Sequence, residues 1–181
     1  MKIEQTPIKG LVTIEPTVHT DDRGYFYESF NKKKLPTELR IFDWVQDNES
    51  RSTRGVLRGL HYQTGRHAQA KLVRAITGEI YDVAVDLRRT SKTYGEWFGV
   101  LLNETNKKQL LIPRGFAHGF VVLSEVAIFG YKCDNFYDKE SEGGIRYNDE
   151  KLKVSWPIEF TEVKVSEKDA ILPVFGKHRP V

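Results

Sequence analysis

Two histidines, one lysine and one tyrosine are the side chains of this 181-residue sequence whose types and settings suit proton transfer. His61 stands in Arg54-Gly55-Val56-Leu57-Arg58-Gly59-Leu60-His61-Tyr62-Gln63, after two arginines and two glycines, in a segment that otherwise reads as a strand. An imidazole there can serve as a base, and it can equally be a hydrogen-bonded structural histidine. Lys71 begins Lys71-Leu72-Val73-Arg74-Ala75, where the two-residue strand period puts Lys71, Val73 and Ala75 on one face. Its ammonium either points inward or snorkels from a strand end. Between Val126 and Cys133, the residues Ala127, Phe129, Tyr131 and Cys133 share an apolar face, so Tyr131 is either a core tyrosine or a phenolic proton donor.

The second histidine, His118, lies in Ile112-Pro113-Arg114-Gly115-Phe116-Ala117-His118-Gly119-Phe120, which reads as a two-glycine turn presenting an imidazole between strands. The pattern P-x-G-x-x-H is half of a cupin metal signature. Its other half, H-x-H followed by Glu, is missing around His61-Tyr62-Gln63, and one imidazole without a second makes a poor metal site. No metal ligand set is therefore expected. Neither G-x-G-x-x-G after a strand nor G-x-x-x-x-G-K-[ST] occurs, so neither a dinucleotide fold nor a P-loop is supported. In Asp21 to Ser29, Arg23, Tyr25 and Tyr27 are expected on one strand face and Phe26 and Glu28 on the other, a pattern that can grip a nucleotide or pack on a neighbouring sheet.

The elements that must carry these residues read as strands. Tyr81, Val83, Val85 and Leu87 alternate with Asp82 and Asp86, the signature of a half-buried strand. Further short segments run over 72–76, 97–102, 109–112, 120–123 and 126–133, separated by Gly, Pro, Asn or Ser. Many short strands with tight turns predict an all-β sandwich or barrel. Helical signals are confined to 31–40, interrupted at Pro36, and to a single turn capped around Ser166-Glu167-Lys168-Asp169; Gly143-Gly144 reads as a turn. The length suits one domain over 1–181, and 39% apolar with 29% charged residues fits a globular chain rather than a disordered or membrane one. A net charge of +3, with Lys32-Lys33-Lys34 as the only dense cluster, does not indicate nucleic acid. With no apolar run of membrane-spanning length, no signal-like N-terminus and the single Cys133, a cytoplasmic location is the default expectation.

Taken together, R-G-x-x-R-G-L-H-Y-Q, A-K-L-V, P-R-G-F-A-H-G-F, S-E-G-G-I, Y-N-D-E and S-E-K-D-A follow one another in the order seen in a single family. From about Gly10 to Pro173 the chain resembles the dTDP-4-dehydrorhamnose 3,5-epimerases. The resemblance implies a metal-free, cofactor-free enzyme on a cupin-like jelly-roll β-sandwich with a few short peripheral helices. It implies a homodimer in which exchanged N-terminal strands complete each partner's site, and a dTDP-linked 4-keto-6-deoxyhexose as substrate. His61 becomes the implied base, Asp169 its orienting carboxylate, Tyr131 the acid on the opposite sugar face and Lys71 the enolate stabiliser. Arg23, Glu28, Gln46, Asn48, Arg58, His118, Glu142 and Lys168 match positions that contact substrate, with Phe26 or Tyr137 stacking on the thymine. Arg146-Tyr147 precede Asn148 where the pattern leads one to expect a Trp. Inversion at C3 alone or C5 alone is a competing reading that the residues leave open. The R-G-L-H-Y-Q and S-E-K-D-A pair favours an epimerase over a ketoisomerase, and His61, Asp169, Tyr131 and Lys71 argue against a non-catalytic sugar-nucleotide binder, which needs no acid and base.

Overall fold

A computed structural model describes residues 1–181, the side chain of Glu38 excepted. Among the described residues thirteen strands form, and every pairing between them is antiparallel. One sheet has six strands in the order β1 (Lys2–Gln5), β2 (Val12–Glu15), β10 (Gln109–Ile112), β7 (Lys71–Thr77), β12 (Val126–Cys133), β5 (Gln46–Thr53). The other has five: β13 (Glu142–Gly144), β6 (Leu57–Gln63), β11 (Phe116–Val122), β8 (Glu79–Asp86), β9 (Trp97–Asn103). A separate hairpin joins β3 (Val18–Asp21) to β4 (Gly24–Tyr27).

Period two explains how the sheets pack. Val73, Ala75, Leu110, Ile112, Ala127 and Phe129 from the six-stranded sheet meet Ile80, Ala84, Leu102, Phe116, Phe120 and Val122 from the five-stranded sheet in one buried cluster. The alternate residues of the five-stranded sheet, including Leu57, Leu60, Val83, Val85, Ala117 and Val121, are covered from outside by Ile145, Leu152, Val154 and Trp156. That cover corrects the expectation for β8: the strand is buried on both faces, and Asp82 and Asp86 are fully buried. Asp86 accepts from Arg88, Ser91 and Thr93, and Asp82 is bonded to His118, so both carboxylates meet the partners that burial demands.

Two other segments differ from the sequence expectation. Gly143-Gly144 is edge strand β13 rather than a turn; its bare Cα atoms fit against Tyr62 and Leu172, where an added Cβ would collide. Strand β11 begins at Phe116, so His118 sits inside a strand and not on a loop. The helical signals hold as single turns: 3₁₀ turns at Lys32–Lys34 and Thr37–Leu39 flank Pro36, and α1 (Glu167–Ala170) is capped by Ser166, whose hydroxyl accepts from the Asp169 N–H at 3.1 Å.

Candidate active site

A strand's period would put Arg58 and His61, three residues apart, on opposite faces. They share a face because β6 carries one extra residue opposite β11: His61 pairs with His118 and Arg58 with Phe120, so three steps on β6 match two on β11. Gly59 makes the bulge possible, with φ +127° and with its Cα so near Gly119 that an added Cβ would lie 2.6 Å from the Gly119 Cα. Behind His61, the Nε2 atom lies 2.7 Å from Asp169 Oδ1, and Asp169 Oδ2 accepts from the Gly59 N–H at 3.2 Å. Burial opposes the Asp169 charge, yet the bonds from His61, Gly59 and Ser166 outweigh it and hold the carboxyl below its ordinary value. The carboxylate is thus the acceptor, and the His61 side chain lines the cleft.

The opposite wall comes from the six-stranded sheet. Lys71 at the start of β7 turns inward, its Nζ 5.9 Å from the centre of the Tyr131 ring. Burial pushes the Lys71 ammonium down, and Cys133, Asp82 and Glu142 offset this only through space. Tyr131, on β12 opposite Asn48, is pushed up by burial and by Cys133, so its phenol stays protonated. His118 and Asp82 form a second pair at 2.9 Å, buried where His61 is 31% exposed. Burial dominates there, pushing His118 down and Asp82 up, and both shifts disfavour an ion pair.

These residues line a cleft of about 610 Å³ that includes Asn48, Arg58, His61, Lys71, His118, Tyr131, Lys168 and Asp169. A second lobe of about 270 Å³ shares Asn48, His61, Lys71 and Tyr131 and adds Gln46, Tyr137, Glu142 and Cys133. Glu142 ties the lobe together, accepting from the Tyr137 hydroxyl at 3.1 Å and from Lys168 Nζ at 2.6 Å. Arg23, Phe26 and Glu28 stand apart from their own chain's cleft. Arg23 lies in the hairpin turn rather than on β4 and is clamped to Asp21, Phe26 is 73% exposed, and Glu28 pairs with Lys34 at 2.8 Å. Sequence reasoning missed Lys164 and Ser166, which also line the cleft, and Asp82, whose apparent outward register hid it. Tyr147 packs in the outer apolar cluster and near Phe160, away from the cleft. Among the described residues no three His, Cys, Asp or Glu side chains converge as metal ligands do, and no helix is long and apolar enough to cross a membrane.

Compared with known proteins, residues 5–177 match the family described as dTDP-4-dehydrorhamnose 3,5-epimerase. The chain belongs to this family. It is 52% identical over 170 residues to the dTDP-4-dehydrorhamnose 3,5-epimerase of Pseudomonas aeruginosa, covering 93% of each chain. A crystal structure of the enzyme of that name from Elizabethkingia anophelis is similar with a TM-score of 0.92 and 55% identity, covering 97% of both chains. The dTDP-6-deoxy-D-glucose-3,5-epimerase of Legionella pneumophila, solved in complex with dTDP-4-keto-L-rhamnose, is similar with a TM-score of 0.92 and 49% identity, covering 97% of this chain and 93% of that one. The family match spans nearly the whole chain.

Proposed function

We propose that this chain is an isomerase that inverts C3 and C5 of dTDP-4-dehydro-6-deoxy-D-glucose to give dTDP-4-dehydro-L-rhamnose. One observation carries the reading: a His61–Asp169 pair on one wall of a cleft whose other wall holds Tyr131 and Lys71. Asp169 accepts the Nε2 proton of His61, leaving the Nδ1 lone pair to take a proton from carbon. A hydrogen beside a ketone becomes removable only when the enolate oxygen is stabilised, and the Lys71 ammonium supplies that charge. Tyr131 then delivers its proton to the opposite face of the ring, which completes an inversion. The proton balance closes without a hydride, so no nicotinamide is required. His118, sealed beside Asp82, suits fixed hydrogen bonding to substrate rather than proton abstraction.

Arg58 and Lys168 are the cations of this chain assigned to the diphosphate, because guanidinium and ammonium groups pair with phosphate oxygens. Gln46, Asn48, Tyr137 and Glu142 are assigned to the nucleotide end. Arg23, Phe26 and Glu28 are assigned to the cleft of a second copy, in a homodimer with exchanged N-terminal strands; the exposure of Arg23 and Phe26 on the β3–β4 hairpin and of Glu28 just after it supports this. We read residues 1–181 as one domain and its two packed sheets as a cupin-like jelly roll. Incubating the protein with dTDP-4-keto-6-deoxyglucose in heavy water and locating deuterium by NMR tests the whole reading. Deuterium is expected at C3 and C5, with His61→Ala slower by roughly 10²–10⁴-fold while dTDP still binds. Label at one carbon alone would make this a single-position epimerase, and label at neither would end the proposal.

A further inference from the structure

Inversion at C3 exchanges a hydrogen and a hydroxyl, but inversion at C5 also swings the C6 methyl group from one side of the sugar ring to the other. The cleft must therefore hold that methyl group in two places, within a bond length of a reacting carbon. Strand register orders its walls. Past the His61–His118 rung of β6 and β11 comes Arg58–Phe120; past the Tyr131–Asn48 rung of β12 and β5 comes Phe129–Ser50. The Phe120 and Phe129 rings stack with centroids 4.2 Å apart, and the Phe129 ring lies 5.4 Å from Tyr131 and 6.0 Å from His118. Val56, Leu57 and Val165 extend this apolar wall. On the other side of the reacting rung the lining is polar, with Gln46, Gln63, Gln69 and Glu142. Of the two flanks of the acid and base, this one alone carries stacked apolar rings, with Arg58 and Ser50 on the neighbouring strands of the same rungs.

We infer that the Phe120–Phe129 wall seats the C6 methyl group, and that it makes the C5 step, far more than the C3 step, depend on a 6-deoxy sugar. The inference rests on the epimerase reading above and adds to it a specificity determinant. A C6 hydroxyl swung across stacked aromatic rings gives up water without regaining a partner, and the cost falls on the step that moves C6. The two rings, buried at 4% and 2% exposure, are locked against His118 and Tyr131 and cannot turn aside to admit it.

The test compares deuterium entry at C3 and C5 for dTDP-4-keto-6-deoxyglucose and for dTDP-4-ketoglucose, which keeps its C6 hydroxyl, using the unaltered protein. C3 exchange is expected to agree within about three-fold between the two sugars, and C5 exchange to fall by roughly 10–100-fold for the hydroxylated one. Phe120→Leu opens the wall and should narrow that C5 deficit while C3 exchange persists. Val165→Ala, on a partly exposed segment, repeats the comparison if Phe120→Leu does not fold. Equal slowing at both carbons, undiminished C5 exchange, or a deficit untouched by opening the wall overturns the inference and leaves the epimerase reading standing. Absence of exchange at both carbons with the 6-deoxy sugar overturns both.

Discussion

His61 and His118 face each other across one rung, each backed by a carboxylate, yet their surroundings give them different chemistry. Asp169 is held charged by the bonds it accepts, whereas Asp82 is driven toward its neutral form by burial. Burial thus opposes charge on both members of the second pair, whereas the first keeps a carboxylate charge beside its imidazole. As the proposed acid on the far wall, Tyr131 complements the proposed base His61, which under that assignment separates starting an inversion from finishing it. In Tyr131→Phe the base and Lys71 remain, so the enolate still forms but is reprotonated from the face it left or slowly by water. Deuterium should then enter the starting sugar without matching inverted product, as NMR of the reaction in heavy water would reveal. Inversion at the unaltered rate would return Tyr131 to a packing role beside Phe129.

Strand β6 shows what the sequence discloses about such a site and what it withholds. The face shared by Lys71, Val73 and Ala75, and that shared by Phe129, Tyr131 and Cys133, follow from period two and appear in the burial of β7 and β12. Arg58 and His61 break that period, and only a close Gly59–Gly119 approach between strands far apart in sequence reveals why both reach the cleft. Asp82 differs from expectation for a related reason: alternation marks two faces of β8, but not that Asp82 shares the face of Ile80 and Ala84 turned toward the other sheet, while the C-terminal segment covers the Val83 and Val85 face. The jelly-roll expectation came from the family resemblance, whereas the strands alone implied only a sandwich or barrel. Element β8 also ends on a carboxylate that the sequence left facing water. Asp86, at about 2, is anchored against its burial by Arg88, Ser91 and Thr93. Because this native value lies below the roughly 3.9 of an unfolded aspartate, its contribution is complete above pH 4 and is lost as pH falls toward 2, about 2–3 kcal/mol in all. Asp86→Asn should cost a similar amount at neutral pH and flatten the acid limb of a denaturant-measured stability profile; an unchanged limb would mean that other carboxylates set it.

At the scale of the molecule, the β3–β4 hairpin is held along its Tyr25 and Tyr27 face and bare on the Phe26 face and at its turn. Lys107 Nζ donates to the Tyr25 hydroxyl at 3.0 Å and Arg74 donates to that of Tyr27, while Arg23 and Phe26 face outward. If two copies exchange these arms, Arg23→Ala and His61→Ala damage different halves of each composite site. Dimers mixed from the two inactive variants then contain one site with both residues intact, and activity should return to roughly a quarter of the unaltered level after random reassortment. No recovery in the mixture, with subunit exchange verified by light scattering or labelling, would argue that each chain completes its own cleft. The division of the site between two sheets has one more consequence. The proposed base His61 hangs from the five-stranded sheet and the proposed acid Tyr131 and cation Lys71 from the six-stranded one, so under that proposal the apolar layer between the sheets is a spacer that sets the gap between them. Leu110, fully buried in that layer, touches no proposed substrate position. Leu110→Ala is expected to cost about 2–5 kcal/mol of stability, and a sub-ångström closing of the gap should change kcat several-fold with KM nearly constant. A hole in the packing would then register as an altered chemical step, and hydrostatic pressure, which squeezes the same layer, should shift the exchange rate of the unaltered protein in the same direction.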